Sequence, residues 1–263
     1  MDLGLKQRVA LVAASSQGLG KAVAMGLAKE GARLSLCART ESTLTAAADE
    51  IHRATGAEIM TRALDVTNYE QVRQFVADTV AQYGQLDICV ANAGGPPAKS
   101  FAETTLEDWR RAADLNLMST VYFAKETLPV MQSRRWGRFI AITSMTVKQP
   151  VDGLILSNSV RSGVSGLIKT LANEYGPYNV LVNNVCPGYT ATARLIDLAE
   201  RMAEKEGVDV ARIEQRWASQ APLGRVGRPE EFADVVVFLA SERASYVTGV
   251  SLAIDGGIVK GLY

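Results

Sequence analysis

Residues 8–24 read RVALVAASSQGLGKAVA. The opening RVALVAA (8–14) is apolar without alternation, which predicts a strand buried on both faces. A helical pattern follows from Leu19 to Glu30. Gly18 and Gly20 stand at the join, on a strand-to-helix turn. Glycines there let backbone come close to a pyrophosphate, whose charge is met by the free N–H groups of the helix start. A Gly-Leu-Gly triplet alone is weak, and its weight comes from what surrounds it.

Working outward, short apolar runs alternate with longer helical patterns. Strands are expected at 33–38, within 57–66, and at 86–92, 137–144, 180–185 and 250–255. Helices are expected from residue 39 or so through Arg53, over Tyr69–Tyr83, Leu106–Gln132, Val160–Tyr175 and Glu230–Leu239. Such alternation predicts right-handed βαβ units. The fold class is therefore α/β: a doubly wound, Rossmann-type, seven-stranded parallel sheet with helices on both faces. No repeat or linker divides the chain, so one domain is expected over residues 1–263. The long irregular interval 187–228 is expected to form a lid or substrate loop over the carboxyl edge.

Composition narrows the partners. Lys plus Arg and Asp plus Glu are equal at 28 each, so no global field favours nucleic acid or an anionic membrane. No apolar run is long enough to span a bilayer, and the N-terminus lacks the pattern of a signal peptide, which implies a cytoplasmic protein. Cys37, Cys89 and Cys186 are scattered within apolar runs and are expected to be buried hydrophobes. The single histidine, His52, sits in a polar helical pattern. No metal site is expected, and a histidine triad has no material.

The chain resembles the short-chain dehydrogenase/reductase family over nearly its whole length, in particular its 3-oxoacyl thioester reductases. The family turn TGxxxGxG aligns with Ala13-Ala14-Ser15-Ser16-Gln17-Gly18-Leu19-Gly20, with Ala14 in place of the first glycine. Asp65-Val66 matches the pair that contacts adenine, and Asn92-Ala93-Gly94 the NAG motif. Asn116, Ser144, Pro187-Gly188 with Thr190 and Thr192, and Asp255-Gly256-Gly257 fall in family order. The resemblance implies a nicotinamide dinucleotide cofactor. Charge indicates which one. The run after the second strand, Cys37-Ala38-Arg39-Thr40, has no acid for a ribose 2′-hydroxyl. Arg39, with Ser16 or Thr40, suits a 2′-phosphate, so NADP(H) is expected over NAD(H).

The resemblance also implies a Ser-Tyr-Lys-Asn site, and here the chain departs. Counting from Ser144 places Ser157 and Arg161 where Tyr and Lys belong. No tyrosine in the chain has a lysine four residues later, so no shift of register restores the pair. Arg161 can donate to ribose hydroxyls but does not readily shed its proton, and a serine hydroxyl is a far weaker acid than a phenol. The candidate proton donors are Lys148, Tyr189, and water held by Asn116 and Ser157. Lys148, Arg161 and Arg194 together suggest local positive charge.

The leading expectation is an NADP(H)-dependent oxidoreductase acting on a small-molecule ketone or secondary alcohol by an altered proton route. The alternatives are a silent nucleotide-binding subunit or sensor, and a lyase or hydratase that reuses the pocket. The resemblance further implies a homodimer or homotetramer. The face with Val164, Leu167, Ile168 and Leu171 suits either core or interface.

Overall fold

A computed structural model describes residues 2–262. The strands and helices run β1 (Val9–Ala13), α1 (Gly18–Lys29), β2 (Arg33–Ala38), α2 (Glu41–Thr55), β3 (Ile59–Ala63), α3 (Tyr69–Tyr83) and β4 (Ile88–Ala91). They continue with α4 (Leu106–Ala113), α5 (Ser119–Ser133), β5 (Gly137–Ile142), α6 (Ile155–Tyr175), β6 (Val180–Pro187), α7 (Ala193–Glu206), α8 (Val210–Gln220), α9 (Pro229–Ala240) and β7 (Ser251–Ile254). All seven strands are parallel, in the order β3-β2-β1-β4-β5-β6-β7.

β1 shows why the central strands are apolar throughout. Ala10 and Val12 enter a core with Val23, Leu27, Phe232 and Val236 of α1 and α9. Val9, Leu11 and Ala13 enter a second core with Phe75, Phe123 and Ile168 of α3, α5 and α6. Successive side chains of a strand point to opposite faces, and helices cover both. The strand order reverses between β1 and β4, which opens a crevice at their carboxyl ends.

Three boundaries differ from expectation, each for a local reason. The region expected as one helix over 106–132 is interrupted by a π-helical turn at Asp114–Met118. Asn116 turns inward there and donates to the Gly94 carbonyl at 2.7 Å. Such a bulge is a recurrent feature of functional sites. α6 begins at Ile155, a turn earlier than expected. Asn158 secures the preceding loop by bonding both the amide and the carbonyl of Val151, which its polar surroundings disguised. The interval 187–228 holds α8 as well as the charged helix α7. The two pack on each other through Ala199, Ala203, Ile213 and Trp217. Among the described residues no helix is long and apolar enough to cross a membrane.

Candidate active site

At the head of the crevice, the turn after β1 is built for close approach. Gly18 has φ +57, and a Cβ at Gly20 would lie 2.3 Å from the Ala14 carbonyl oxygen. Only glycine fits at Gly20 while helix α1 packs this tightly. Ala14 itself adopts φ 50, a left-handed conformation that suits glycine. Asn92 ties the two strands of the crevice together, donating to the Ala13 carbonyl at 3.3 Å. Ser16, Gln17 and Leu19 complete the turn, with Gln17 exposed at the N-cap of α1. A dinucleotide fits this cradle: α1 offers unpaired N–H groups, and the backbone can be reached.

Further along the edge, Arg39, Asp65 and Gln71 line a shallow recess beyond β2 and β3. Arg39 is exposed, and among the described residues its guanidinium has no ion pair. The Asp65 carboxylate accepts from the Thr67 amide and hydroxyl at 2.9 and 2.8 Å. Its negative charge is thereby folded into its own turn, beside buried Val66. The recess suits an adenosine carrying an extra phosphate.

The other half of the site gathers at the ends of β4, β5 and β6. Ser144 caps a short 3-10 turn, where its Oγ accepts from the Thr146 amide at 3.2 Å. That leaves the Ser144 hydroxyl hydrogen free to donate. Ser157 is buried on α6, and its Oγ lies 3.1 Å from Thr146 Oγ1. Arg161, one turn on and also buried, is engaged with main chain. Its Nη1 donates to the carbonyls of Thr143 at 2.6 Å and Ile142 at 3.3 Å, and its Nη2 to Gly94 at 3.2 Å. Burial, and then the charge of Arg194, push its pKa down to about 10, so it stays a cation at neutral pH. Asn116 donates to the same Gly94 carbonyl, while its buried Oδ1 has no partner among the described residues. That acceptor is open to a hydroxyl or water. Ala93 and exposed Gly94 complete this wall.

The wall beyond β6 begins with Pro187 and Gly188, where a Cβ at Gly188 would stand 2.7 Å from Asp255. Asp255 is held by accepting from the amides of Gly257 and Val259. Buried Thr190 bridges to Gly227, and Thr192 caps α7 by accepting from Leu195 N at 3.4 Å. The Thr192 methyl would lie 3.5 Å from a Cβ at Gly18, so α7 starts directly over the glycine turn. Lys148 is half-buried and lies near the Cys186 thiol, which burial pushes up. Tyr189 stacks on Trp217 at 5.1 Å, packed into the helices of this segment. Burial also raises its pKa, which makes it a poorer acid.

The structure thus brings Ser144, Ser157, Arg161 and Asn116 together at one strand edge, with Lys148 and Tyr189 at its margin. Sequence reasoning missed Thr146, which holds both Ser144 and Ser157. It also missed the contact of Arg194 with the Pro96 carbonyl at 3.2 Å. All three cysteines are buried and unpaired, with Cys37 pushed up to about 12 by burial.

Comparison with known proteins agrees with this geometry. Residues 13–259 match a family model described as Enoyl-(Acyl carrier protein) reductase. The chain is 33% identical to the 3-oxoacyl-[acyl-carrier-protein] reductase FabG of Aquifex aeolicus, over 98% of this chain and 100% of that protein. Its fold matches L-sorbose reductase from Gluconobacter frateurii, complexed with NADPH and L-sorbose, with a TM-score of 0.95 and 35% identity over the full length of both. It also matches a variant of the actinorhodin polyketide ketoreductase with NADPH, with a TM-score of 0.92 and 32% identity, covering 97% of this chain and 98% of that one. A doubly wound sheet, a glycine turn at its switch point, a serine after β5 and full-length relatives all converge: the chain belongs to the short-chain dehydrogenase/reductase family.

Proposed function

We propose that the protein is an NADP(H)-dependent oxidoreductase that interconverts a ketone and a secondary alcohol by a proton route without a phenol. The observation that carries this reading is the uncommitted Ser144 hydroxyl at the carboxyl end of β5, beside the dinucleotide cradle. When bound, the nicotinamide supplies or accepts the hydride, and the protein's task is orientation and charge. Ser144 donates to the carbonyl oxygen as negative charge develops there. Arg161 adds a fixed positive charge behind the same strand ends and keeps the three carbonyls in place. Asn116 Oδ1 accepts from a ribose hydroxyl or a water that brings the proton. Gly18, Gly20 and the turn around them take the pyrophosphate, and Arg39 takes the 2′-phosphate.

NADPH oxidation with a panel of ketones, with the alcohol identified as product, tests this. Turnover above a cofactor-only control is the expected result, and its absence across the panel counts heavily against the reading.

The commitment of Ser157 to Thr146 favours a second reading. No residue in the phenol's place is a matched acid, and an alkoxide needs one. Hydride addition to an alkene conjugated with a carbonyl leaves an enolate, a much weaker base. The matching family model's description names an enoyl reductase. Conjugated enones belong in the same panel, and a saturated ketone as sole product selects this second reading.

The 187–228 segment serves as the lid, because α7 begins over the glycine turn. The proposed assembly is a homodimer or homotetramer. Exposed Phe238 on α9 and Leu252 on the edge strand β7 support it, and light scattering in solution checks it.

A further inference from the structure

The mouth of the site holds positive charge that, among the described residues, no carboxylate answers. Arg194, in the first turn of α7, donates through Nη2 to the Pro96 carbonyl at 3.2 Å. Its guanidinium lies flat against Gly95, where a Cβ would stand 2.7 Å or less from three of its atoms. Gly95 therefore makes room for this arginine. Arg161 reaches the same stretch: its Nη2 donates to the Gly94 carbonyl at 3.2 Å, and a Cβ at Gly94 would stand 3.9 Å from Arg194 Nη1. The charge of Arg194 pulls the pKa of Arg161 down, and Arg201, two turns along α7, acts the same way on Arg194. Lys148, at the end of the 3-10 turn after β5, lies within electrostatic range of Cys186 on β6.

Among the described residues none of these four cations forms an ion pair. Three other arginines of the same segment, Arg216, Arg225 and Arg228, do find carboxylates, whereas Arg212 is also without one among the described residues. Arg216 pairs with Glu206 at 2.6 Å and Arg225 with Glu231 at 2.7 Å. The carboxylate on this side of the site, Asp255, is already committed to two backbone amides. Like charges gathered without a counter-ion are unfavourable until an anion joins them. A guanidinium carries five donors in a planar fork that matches a carboxylate, and the single bond to Pro96 leaves that fork largely free.

We infer that the substrate is an anionic carbonyl compound whose carboxylate is taken by Arg194, with its carbonyl directed to Ser144. Arg194 is then the specificity-determining residue of the lid. This inference rests on the reductase reading above, and the test separates the two.

Two matched pairs serve as probes: 3-oxobutanoate against its methyl ester, and 4-oxopentanoate against its methyl ester. Members of a pair share the oxoacyl chain, and the ester carries a methyl group where the acid carries its charge. In the native protein kcat/KM with NADPH should favour each acid over its ester by about 10-fold or more, the worth of one charge-assisted bond. In Arg194→Gln the ratio should fall toward one, and Arg194→Lys should restore part of it. A ratio near one in the native protein, or one that persists in Arg194→Gln, overturns the inference. So does a variant that loses NADPH affinity while keeping the ratio, since Arg194 would then serve the cofactor's phosphates. If no probe is reduced, thermal shift with NADP+ present decides. Stabilisation by the acids alone, lost in Arg194→Gln, upholds the anion site while the reductase reading fails. No stabilisation by either acid overturns the anion site as well.

Discussion

The crevice between β1 and β4 and the ledge formed by β5 and α6 belong to one site, yet they have been treated differently. The crevice keeps its working parts. Gly20 admits nothing larger, Asn92 ties the strands, and Arg39 stands exposed at the far end. Its departure at the first glycine of the turn, Ala14, adds a single methyl. The ledge has been rebuilt. Ser157 turns to Thr146, and Arg161 turns to main-chain carbonyls. Cofactor binding depends on backbone shape, which a small side chain barely disturbs. Proton transfer depends on the acidity of one group, which no alkyl hydroxyl reproduces. A protein can therefore keep the first while replacing the second.

The sharpest way to break that comparison is to remove what the ledge retains. Ser144→Ala should lower kcat by roughly 10²–10³-fold with NADPH affinity unchanged, read by steady-state kinetics and cofactor fluorescence titration. A loss confined to NADPH affinity would place Ser144 in the crevice's work instead. Next comes repair of the ledge. Ser157→Tyr combined with Arg161→Lys should raise ketone reduction by about 10²-fold, the lower range for a positioned general acid. Thr146 stands 3.1 Å from the Ser157 hydroxyl, so adding Thr146→Ala should enlarge the gain. Unchanged or slower turnover in both variants would mean that the ledge serves a different chemistry.

Smaller effects belong to the crevice. Arg39→Ala should weaken NADPH by about 10-fold and leave NADH unaffected, the scale of one charge-assisted contact. An equal loss for both cofactors would contradict the 2′-phosphate assignment. Ala14→Gly should raise stability by about 1 kcal/mol in chemical denaturation, since a left-handed backbone costs alanine about that much. Its effect on turnover should be slight.

The parts of this molecule that rest on periodicity or on glycine could be read from the chain. β1, the turn through Gly18 and Gly20, and the long excursion after Pro187 all fall where patterning places them. That no tyrosine has a lysine four residues later was equally plain, because four-residue spacing is a one-dimensional fact. Direction was not legible. Whether Arg161 reaches outward to a ribose or back to Thr143 depends on which carbonyls the ends of β4 and β5 leave unpaired. Thr146 looked ordinary because its importance comes from a partner 11 positions away. The bulge at Asn116 was hidden because its cause is a carbonyl on another strand. α8 was missed because its apolar residues Ile213 and Trp217 face α7 rather than the sheet.

The stacking of Tyr189 on Trp217, together with Ala199, Ala203 and Ile213, gives the α7–α8 pair an interior that does not draw on the sheet. A pair of helices with its own filling can be recut on its outer faces while its fastenings stay the same. Descendants of this chain could acquire new molecular tastes by exchanging residues on the outer face of α7, with the hydride apparatus left as it is.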